Sequence, residues 1–280
     1  MSIFKDKQYL RVNVNKVRDD SLWMKCKACG ELIFKRRVRE NHNICPNCAE
    51  YFFLTMEERI TMLVDEDSFD NISKSIEAAD PLAFVDRKSY QERIKQAQGE
   101  TGLPDAIVVG RATISGIPVI LGVMDFRFIG GSMGSVVGEQ ICHGMETAMA
   151  EDIPFILVSS SGGARLQEGL FSLLQMAKTT AVRAKLADAG IPFFSIMTYP
   201  TSGGVQASIA SLGDVIIAER GAMIGFAGPR VIQFTIAQEL PANYQTDAFA
   251  FEHGAIDRVV KREHMREELS ALLGFFAEVA

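Results

Sequence analysis

Short apolar runs alternate with glycine turns and helix-like patterns through the middle of the chain. Three of these runs begin with an Ile-Pro pair, at Ile117, Ile153 and Ile191, and their spacing is nearly regular. Each run predicts a strand, and a glycine pair and a helical pattern follow it. The predicted strands are 119–123, 155–159 and 193–198, the glycine pairs 130–131, 162–163 and 203–204, and the predicted helices 135–150, 166–189 and 205–212. A further apolar run at 214–218 continues the repeat, which predicts an α/β fold of stacked turns with buried parallel strands.

The glycine pairs are candidates for anion binding. Glycine permits positive φ and leaves backbone N–H groups unobstructed by a Cβ. A helix N-terminus that follows such a turn favours negative charge, and α/β folds bind ligands where strands run into helices. The repeat therefore predicts that at least one pair stabilises an oxyanion. The alternative is that the glycines only permit tight turns.

The N-terminal region carries a candidate metal site. Four of the five cysteines form two Cys-x-x-Cys pairs on either side of the segment 30–44; they are Cys26, Cys29, Cys45 and Cys48. This spacing is typical of a structural zinc ribbon, in which four thiolates complete a tetrahedron. Two disulfides, or His42 as a ligand, are the alternatives. Cys142 lies in an apolar helical pattern and is expected to be a buried small side chain.

Charge is distributed unevenly along the chain. Residues 1–50 contain eleven Lys and Arg against six Asp and Glu, whereas the whole chain has a net charge of −6. The basic residues between the cysteine pairs are Lys35, Arg36, Arg37 and Arg39. They could contact phosphates of a nucleic acid or of a cofactor, or they could form a solvated surface. The acidic remainder argues against a protein that coats nucleic acid.

Several classes of protein are disfavoured. No apolar run approaches the roughly 18 residues that a membrane span requires. The segment 1–20 contains no apolar stretch of a secretory signal, so a cytosolic or organelle-interior location is expected. Phosphate-loop and dinucleotide fingerprints are absent. Ser132 between Gly130 and Gly134 approximates the turn of a serine hydrolase, with His253 as a possible base, but the segment is short and glycine-rich.

Four further segments, together with the cysteine pairs, resemble the carboxyltransferase beta subunits of bacterial and plastid-type acetyl-CoA carboxylase. The segments are 126–135 (FRFIGGSMGS), 159–169 (SSSGGARLQEG), 199–205 (YPTSGGV) and 251–257 (FEHGAID). The resemblance extends from about residue 25 to residue 260. It implies an N-terminal extension at 1–24, a zinc ribbon at 25–54 and a crotonase-like carboxyltransferase domain of stacked ββα turns at 55–280.

The resemblance implies an enzyme that transfers a carboxyl group from carboxybiotin to acetyl-CoA, giving malonyl-CoA for fatty acid synthesis. It also implies an alpha subunit of the same fold, in a complex with two copies of each subunit. A separate biotin carrier protein and a biotin carboxylase are the remaining partners, and the chain indeed has no Met-Lys-Met biotin-acceptor triplet. The location would be the cytoplasm or the plastid stroma. Transfer to another acyl-CoA, with nucleic-acid binding by the ribbon, is the alternative function, and a stand-alone hydrolase or isomerase is a third.

The resemblance also implies roles for individual residues. The reaction develops negative charge on the ureido oxygen of biotin and on the thioester oxygen, and preorganised N–H donors stabilise such charge. The backbone amides of Gly203 and Gly204 are expected to form one oxyanion hole. The residues expected along the acyl-CoA path are Gly162, Gly163 and Arg165. Arg165 would contact a phosphate or the pantetheine; the alternative is an ion pair with Glu168, three positions on.

Overall fold

The structure, a computed structural model, describes residues 22–228 and 243–277, together with positions 232, 235, 240 and 241. Most of the predicted N-terminal extension, residues 1–21, lies outside the described residues. The chain divides into two compact units, Met1–Phe52 and Phe53–Ala280.

The described part of the first unit contains a short hairpin and a short helix. Strand β1 (Trp23–Lys25) pairs antiparallel with β2 (Leu32–Phe34), and helix α1 (Lys35–Glu40) follows directly. Its buried cluster consists of Cys26, Ile33, Val38 and Cys45. A core of this size is too small to stabilise a fold without a metal or disulfides, so the cysteine site is expected to hold the unit together.

The second unit is built on one mixed sheet. Its strands are β3 (Asp70–Asn71), β4 (Ile107–Ile114), β5 (Ile117–Met124), β6 (Phe155–Ser161), β7 (Phe193–Ser202), β8 (Val215–Glu219), β9 (Ile224–Gly225) and β10 (Arg258–Val260). The strand order is β10-β8-β7-β6-β5-β4-β3, and β9 pairs with the end of β7. Strands β5, β6, β7 and β8 are parallel, as the repeat predicts, whereas β4 and β5 form an antiparallel hairpin.

The second unit also contains helices on either side of these strands in the chain. Among the described residues they are α2 (Met56–Leu63), α3 (Tyr90–Thr101), α4 (Ser135–Glu151), α5 (Leu170–Asp188), α6 (Gly203–Gln206), α7 (Asp247–Glu252) and α8 (Met265–Ala277). Helices α4, α5 and α6 connect the successive parallel strands β5, β6, β7 and β8. In the described part of the chain, 3₁₀ turns lie at Ile129–Gly131, Leu166–Glu168, Ile209–Leu212 and Arg262–His264. Helices α4 and α5 pack against each other. Side chains of β5, β6 and β7 are almost wholly buried, which explains why these strands appear as continuous apolar runs in the sequence.

Two predicted helices differ from the observed elements. The segment 166–189 breaks at Gly169, whose φ of 51° and ψ of −126° lie outside the helical region, so a 3₁₀ turn precedes α5. The segment 205–212 contains only the end of α6 and a 3₁₀ turn. Here the Ser208 hydroxyl donates to the Gly204 carbonyl at 2.6 Å, and the Ser208 backbone leaves the helical region.

Within the part of the chain that the structure describes, no helix is both long enough and apolar enough to cross a bilayer.

Candidate active site and metal centre

The four predicted metal ligands converge on one point. All four cysteine Sγ atoms lie within 4.8 Å of one another. The Cys26–Cys48 and Cys29–Cys45 Sγ distances are 3.7 Å and 3.9 Å. Thiolates bound at about 2.3 Å to a tetrahedral zinc ion would lie about 3.8 Å apart, so the cluster fits zinc. All four cysteines are free of disulfides, which argues against the disulfide alternative.

The backbone shapes each cysteine pair into a similar turn. The N–H of Gly30 donates to Cys26 O at 3.0 Å, and the N–H of Ala49 donates to Cys45 O at 3.0 Å. Both Gly30 and Ala49 have positive φ, 77° and 60°. A backbone hydrogen bond from Cys29 lowers the pKa of Cys26 to about 7. Burial and the neighbouring thiols raise the pKa values of Cys29 and Cys48, so binding of a metal by all four thiolates would release protons.

Neither His42 nor Cys142 belongs to this cluster. The cluster of metal-ligating atoms found among the described residues consists of the four cysteines and does not include His42. Cys142 is buried in α4, and burial raises the pKa of its thiol to about 11. Its thiol therefore stays protonated near neutral pH, in agreement with the predicted role as a small core residue.

The three glycine pairs meet at the carboxyl ends of β5, β6 and β7. The N–H of Gly162 donates to Gly130 O at 2.8 Å. A Cβ atom on Gly163 would lie 2.9 Å from Gly203 Cα, and these two glycines have φ of 112° and 59°. Only glycine allows both this close approach and these dihedral angles. The turns that are separate in sequence thus form one continuous surface.

Some backbone donors on this surface have no acceptor among the described residues, and the N–H groups of Ala164 and Gly204 are two of them. The N–H of Gly204 belongs to the first turn of α6, where backbone donors lack intrahelical partners. The nitrogen of Ala164 lies 3.5 Å from the place that a Cβ on Gly204 would occupy. The two donors therefore lie close together although they belong to two different turns.

The expected donor role of Gly203 requires correction. Its N–H donates to Phe226 O at 3.0 Å, so it is already engaged. Gly203 contributes a left-handed backbone conformation that turns β7 into α6, and only Gly204 of the pair presents an unengaged N–H. The sequence interpretation also missed Ala164. Its position directly after the second glycine pair was the available signal, but an alanine carries no side-chain chemistry that would attract attention.

Arg165 does not present its charge to the surface. Its side chain is 0% exposed, and all five of its N–H groups donate within the protein. The acceptors are Ser132 Oγ (3.1 Å), Ser132 O (2.8 Å), Tyr90 Oη (3.1 Å), Asp105 Oδ2 (2.9 Å) and Asp105 Oδ1 (2.5 Å). The side chain has no donor left for a phosphate, which corrects the expected contact with CoA. The alternative pairing with Glu168 is present at 3.7 Å, but Asp105 is the principal partner.

The serine-hydrolase alternative lacks its base. Ser132 Oγ accepts a hydrogen bond from Arg165 Nε at 3.1 Å. The ring of His253 stacks on Phe249, and its Nδ1 lies 2.8 Å from Phe249 O. Among the described residues, no histidine bonds to Ser132, so the arrangement of a nucleophile elbow is not formed.

Comparisons with known proteins agree with this geometry. Residues 53–273 match the family model described as the carboxyl transferase domain, and residues 23–48 match the acetyl-CoA carboxylase zinc finger domain. Among solved structures, transcarboxylase 12S has a TM-score of 0.66 and 29% identity, over 84% of this chain and 42% of that chain. A chain of the Pseudomonas malonate decarboxylase MdcD-MdcE hetero-dimer has a TM-score of 0.61 and 24% identity, over 80% of this chain and 86% of that chain. Fold and zinc ribbon together define a carboxyl transferase of the crotonase-like class.

Curated relatives narrow this class. The acetyl-coenzyme A carboxylase carboxyl transferase subunit beta of Citrifermentans bemidjiense is 49% identical over 254 residues, 91% of this chain and 90% of the relative. The subunit of the same name from Thermus thermophilus is 50% identical over 252 residues, which are 90% of this chain and 88% of the relative. The chain belongs to the family of acetyl-CoA carboxylase carboxyl transferase beta subunits. The family and the fold class predicted from the sequence are thereby confirmed.

Proposed function

We propose that this chain provides half of the active site that transfers a carboxyl group from carboxybiotin, held by a separate carrier protein, to acetyl-CoA. The product is malonyl-CoA for fatty acid synthesis. The observation that carries the proposal is the pair of adjacent backbone donors, Ala164 and Gly204, at the junction of three glycine turns. Such a pair suits a thioester oxygen that becomes negatively charged during the reaction.

The chemistry of the transfer requires such donors more than it requires a side-chain nucleophile. Carboxybiotin supplies the carboxyl group as CO₂ and a ureido group that can take a proton from the acetyl methyl. Loss of this proton places negative charge on the thioester oxygen, where the N–H groups of Ala164 and Gly204 would hold it. Removal of one such donor typically lowers kcat by about 10²–10³. Gly162, which is exposed, and Gly163 would leave room for the acyl-CoA chain beside the donors.

Zinc has a structural role in this proposal. The four ligands are Cys26, Cys29, Cys45 and Cys48. A complete set of four thiolates leaves no open coordination position for substrate or water. We therefore assign no step of the reaction to the metal, and its binding energy would contribute to folding of the N-terminal unit.

An alpha-type carboxyltransferase subunit is the proposed partner, in a complex with two copies of each subunit, served by a biotin carrier protein and a biotin carboxylase. Apolar side chains at the start of α5 and in the preceding turn support a partner surface close to the donors. They are Leu166 (73% exposed), Leu170 (67%), Phe171 (45%), Leu173 (52%) and Leu174 (51%). A contiguous set of large exposed apolar side chains is typical of a protein interface.

The remaining expectations have less support. The basic residues of the ribbon lie on α1, where Arg36 pairs with Glu40 at 2.7 Å, and no further observation favours nucleic acid over a solvated helix. A cluster of four cysteines arranged for a metal is typical of proteins from reducing compartments, which supports the proposed location in the cytoplasm or the plastid stroma. No described feature favours another acyl-CoA over the acetyl-CoA of the relatives' names.

The proposal can be tested by reconstitution. The purified, zinc-loaded chain is assayed for malonyl-CoA formation with carboxylated carrier protein, alone and after assembly with an alpha-type subunit. We expect turnover only in the assembled complex. Robust transfer by a demonstrably partner-free preparation would contradict the divided site, and an assembled complex without transfer would contradict the proposed reaction.

A further inference from the structure

We infer that Arg165 is a positioning residue: its buried guanidinium locks the turn at 130–134 to the turn at 162–165 and thereby holds the Ala164 N–H beside that of Gly204. The inference rests on the proposed function, since it assigns Arg165 to the donor pair of that reaction. Arg165 would act through Ala164 without touching the substrate.

The Arg165 network is costly to bury, which suggests a role beyond packing. Arg165 is 0% exposed, and Asp105, Tyr90 and Glu168 are each at most 2% exposed. Burying an ion pair is frequently no more stabilising than packing apolar residues in its place. A network with complete hydrogen bonding does, however, fix one arrangement of the groups it joins.

The backbone on either side of Ala164 is bonded to Met133. The N–H of Met133 donates to Gly163 O at 2.8 Å, and the N–H of Arg165 donates to Met133 O at 2.9 Å. Met133 and Ala164 thus form a parallel bridge. In such a bridge the flanking residues make the hydrogen bonds, so the N–H of Ala164 itself points to the opposite side. The orientation of this donor therefore depends on the position of Met133.

The guanidinium fixes the residue that precedes Met133. Nη2 and Nε of Arg165 donate to the backbone oxygen and the hydroxyl of Ser132 at 2.8 Å and 3.1 Å. The other side of the fork holds Asp105, the residue two positions before β4, through two hydrogen bonds. The planar fork thus links the 130–134 turn to the sheet in one geometry, which a lysine could not reproduce.

A second connection runs through Tyr90 to the start of α4. The phenol accepts from Arg165 Nη1 at 3.1 Å and donates to Glu168 Oε1 at 2.6 Å. The other carboxylate oxygen of Glu168 accepts the N–H of Ser135, the first residue of α4, at 2.7 Å. A Cβ on Gly134 would lie 2.2 Å from Glu168 Oε1, which explains the glycine at this position. The segments before and after Ala164 are therefore held by the same network.

The test uses two variants that change one polar group each, Tyr90→Phe and Asp105→Asn. Glu219→Gln is the control, because Glu219 forms a second buried network with Arg59 and Arg262 that shares no residue with the first. In the assembled complex, we measure kcat, KM for acetyl-CoA and Tm. We also measure hydrogen exchange of the Met133 and Arg165 amides. These amides make the two hydrogen bonds of the bridge, so their exchange rates show whether the bridge is intact even in an inactive variant.

We expect kcat to fall about 10-fold for Tyr90→Phe and about 100-fold for Asp105→Asn, because small misplacements of catalytic groups have effects of this order. KM should stay within about twofold, and exchange at Met133 and Arg165 should accelerate. Glu219→Gln should lower Tm while leaving kcat and this exchange unchanged. A kcat that simply follows Tm across all three variants, or exchange that is unaltered in Tyr90→Phe, overturns the inference. If the wild-type complex transfers no carboxyl group, the proposed reaction fails, and the exchange data alone decide whether Arg165 locks the turns.

Discussion

The carbonyl oxygen of Ser160 lies where a side chain on Gly131 would begin: a Cβ on Gly131 would be 2.0 Å from this oxygen. Gly131 also has a φ of 62°. Glycine is thus required at this position both by the approach of β6 and by the backbone conformation of the turn. Gly116, in the β4–β5 hairpin, has a φ of 80° but nothing within 4 Å of its missing Cβ.

This contrast predicts different costs for the same substitution. Gly116→Ala should lower the free energy of unfolding by about 1–2 kcal/mol, the cost of a left-handed conformation. Gly131→Ala should carry the same conformational cost and lower the free energy of unfolding by a further ~1–3 kcal/mol, because the new methyl group overpacks against Ser160. Urea denaturation followed by circular dichroism measures both. Equal losses for the two variants would show that the contact with Ser160 relaxes without cost.

Gly204 should be sensitive to the size of its side chain. A Cβ there would lie 3.1 Å from Met176 Sδ and 3.3 Å from Ala164 Cβ. Gly204→Ala requires a shift of a few tenths of an ångström, whereas the branched side chain of Gly204→Val should displace the donor or cover it. We expect Gly204→Val to reduce kcat about 10²–10³-fold in the zinc-loaded, assembled complex, with Gly204→Ala intermediate.

Ser202→Ala is the matched control for Gly204. The Ser202 hydroxyl donates to Ser161 O at 3.2 Å and makes no hydrogen bond to the N–H groups of α6. Its removal should change kcat by less than about threefold, since the donor pair is made of backbone groups. A large loss in Ser202→Ala with normal turnover in Gly204→Val would assign the chemistry to the hydroxyl.

The purified chain should contain one zinc ion, bound by the four-cysteine cluster. Cys26→Ala should abolish stoichiometric binding, because three thiolates and an open position replace a closed tetrahedron. Cys142→Ala is the control, since this buried thiol lies in α4 and belongs to no metal cluster among the described residues. Elemental analysis well below one zinc per wild-type chain, or equal zinc contents in the two variants, would refute the ribbon as a zinc site.

The Glu219 network predicts a loss of stability in acid. Burial disfavours the charged carboxylate, but Arg59 and Arg262 outweigh this effect and lower the pKa of Glu219 from 4.5 to about 2. A carboxyl group whose pKa is lower in the folded state stabilises the protein above its unfolded-state pKa. This contribution should therefore decline as the pH falls from about 4.5 towards about 2.

Comparison with Glu219→Gln isolates this contribution. The variant leaves two buried arginines without their carboxylate, which should cost about 3–5 kcal/mol at neutral pH. Its stability should then depend less steeply on pH between 4.5 and 2 than that of the wild type. Urea unfolding at several pH values gives both slopes, and identical slopes would mean that Glu219 does not titrate as described.

The sequence predicted the strands and the metal ligands well because the determinants of both are local. The Ile-Pro pairs that begin at positions 117, 153 and 191 lie in or directly before strands β5, β6 and β7, and the apolar runs that follow these pairs form the strands. Two Cys-x-x-Cys pairs at ribbon spacing converge on one point, as the pattern implies. In each case a short segment contains the information that determines the structure.

The polar contacts of the candidate site could not be predicted in the same way. The helical spacing of Arg165 and Glu168 suggests that these two residues pair, but the main partner of Arg165 is Asp105, 60 residues earlier in the chain. The engagement of the Gly203 N–H likewise depends on Phe226, which lies beyond two further strands, β8 and β9. Such pairings follow from how the turns stack, and the spacing of residues in the sequence does not contain this information.

The donors of the proposed site are backbone groups, and this has a consequence for mutagenesis. An alanine scan removes side chains, but Ala164 is already alanine and Gly204 has no side chain to remove. An alanine scan around the site would therefore detect residues of the supporting network, such as Tyr90 and Asp105. It would leave the donors themselves untested. Replacing the amide of residue 164 or 204 with an ester, which deletes a single N–H, is the substitution that addresses them directly.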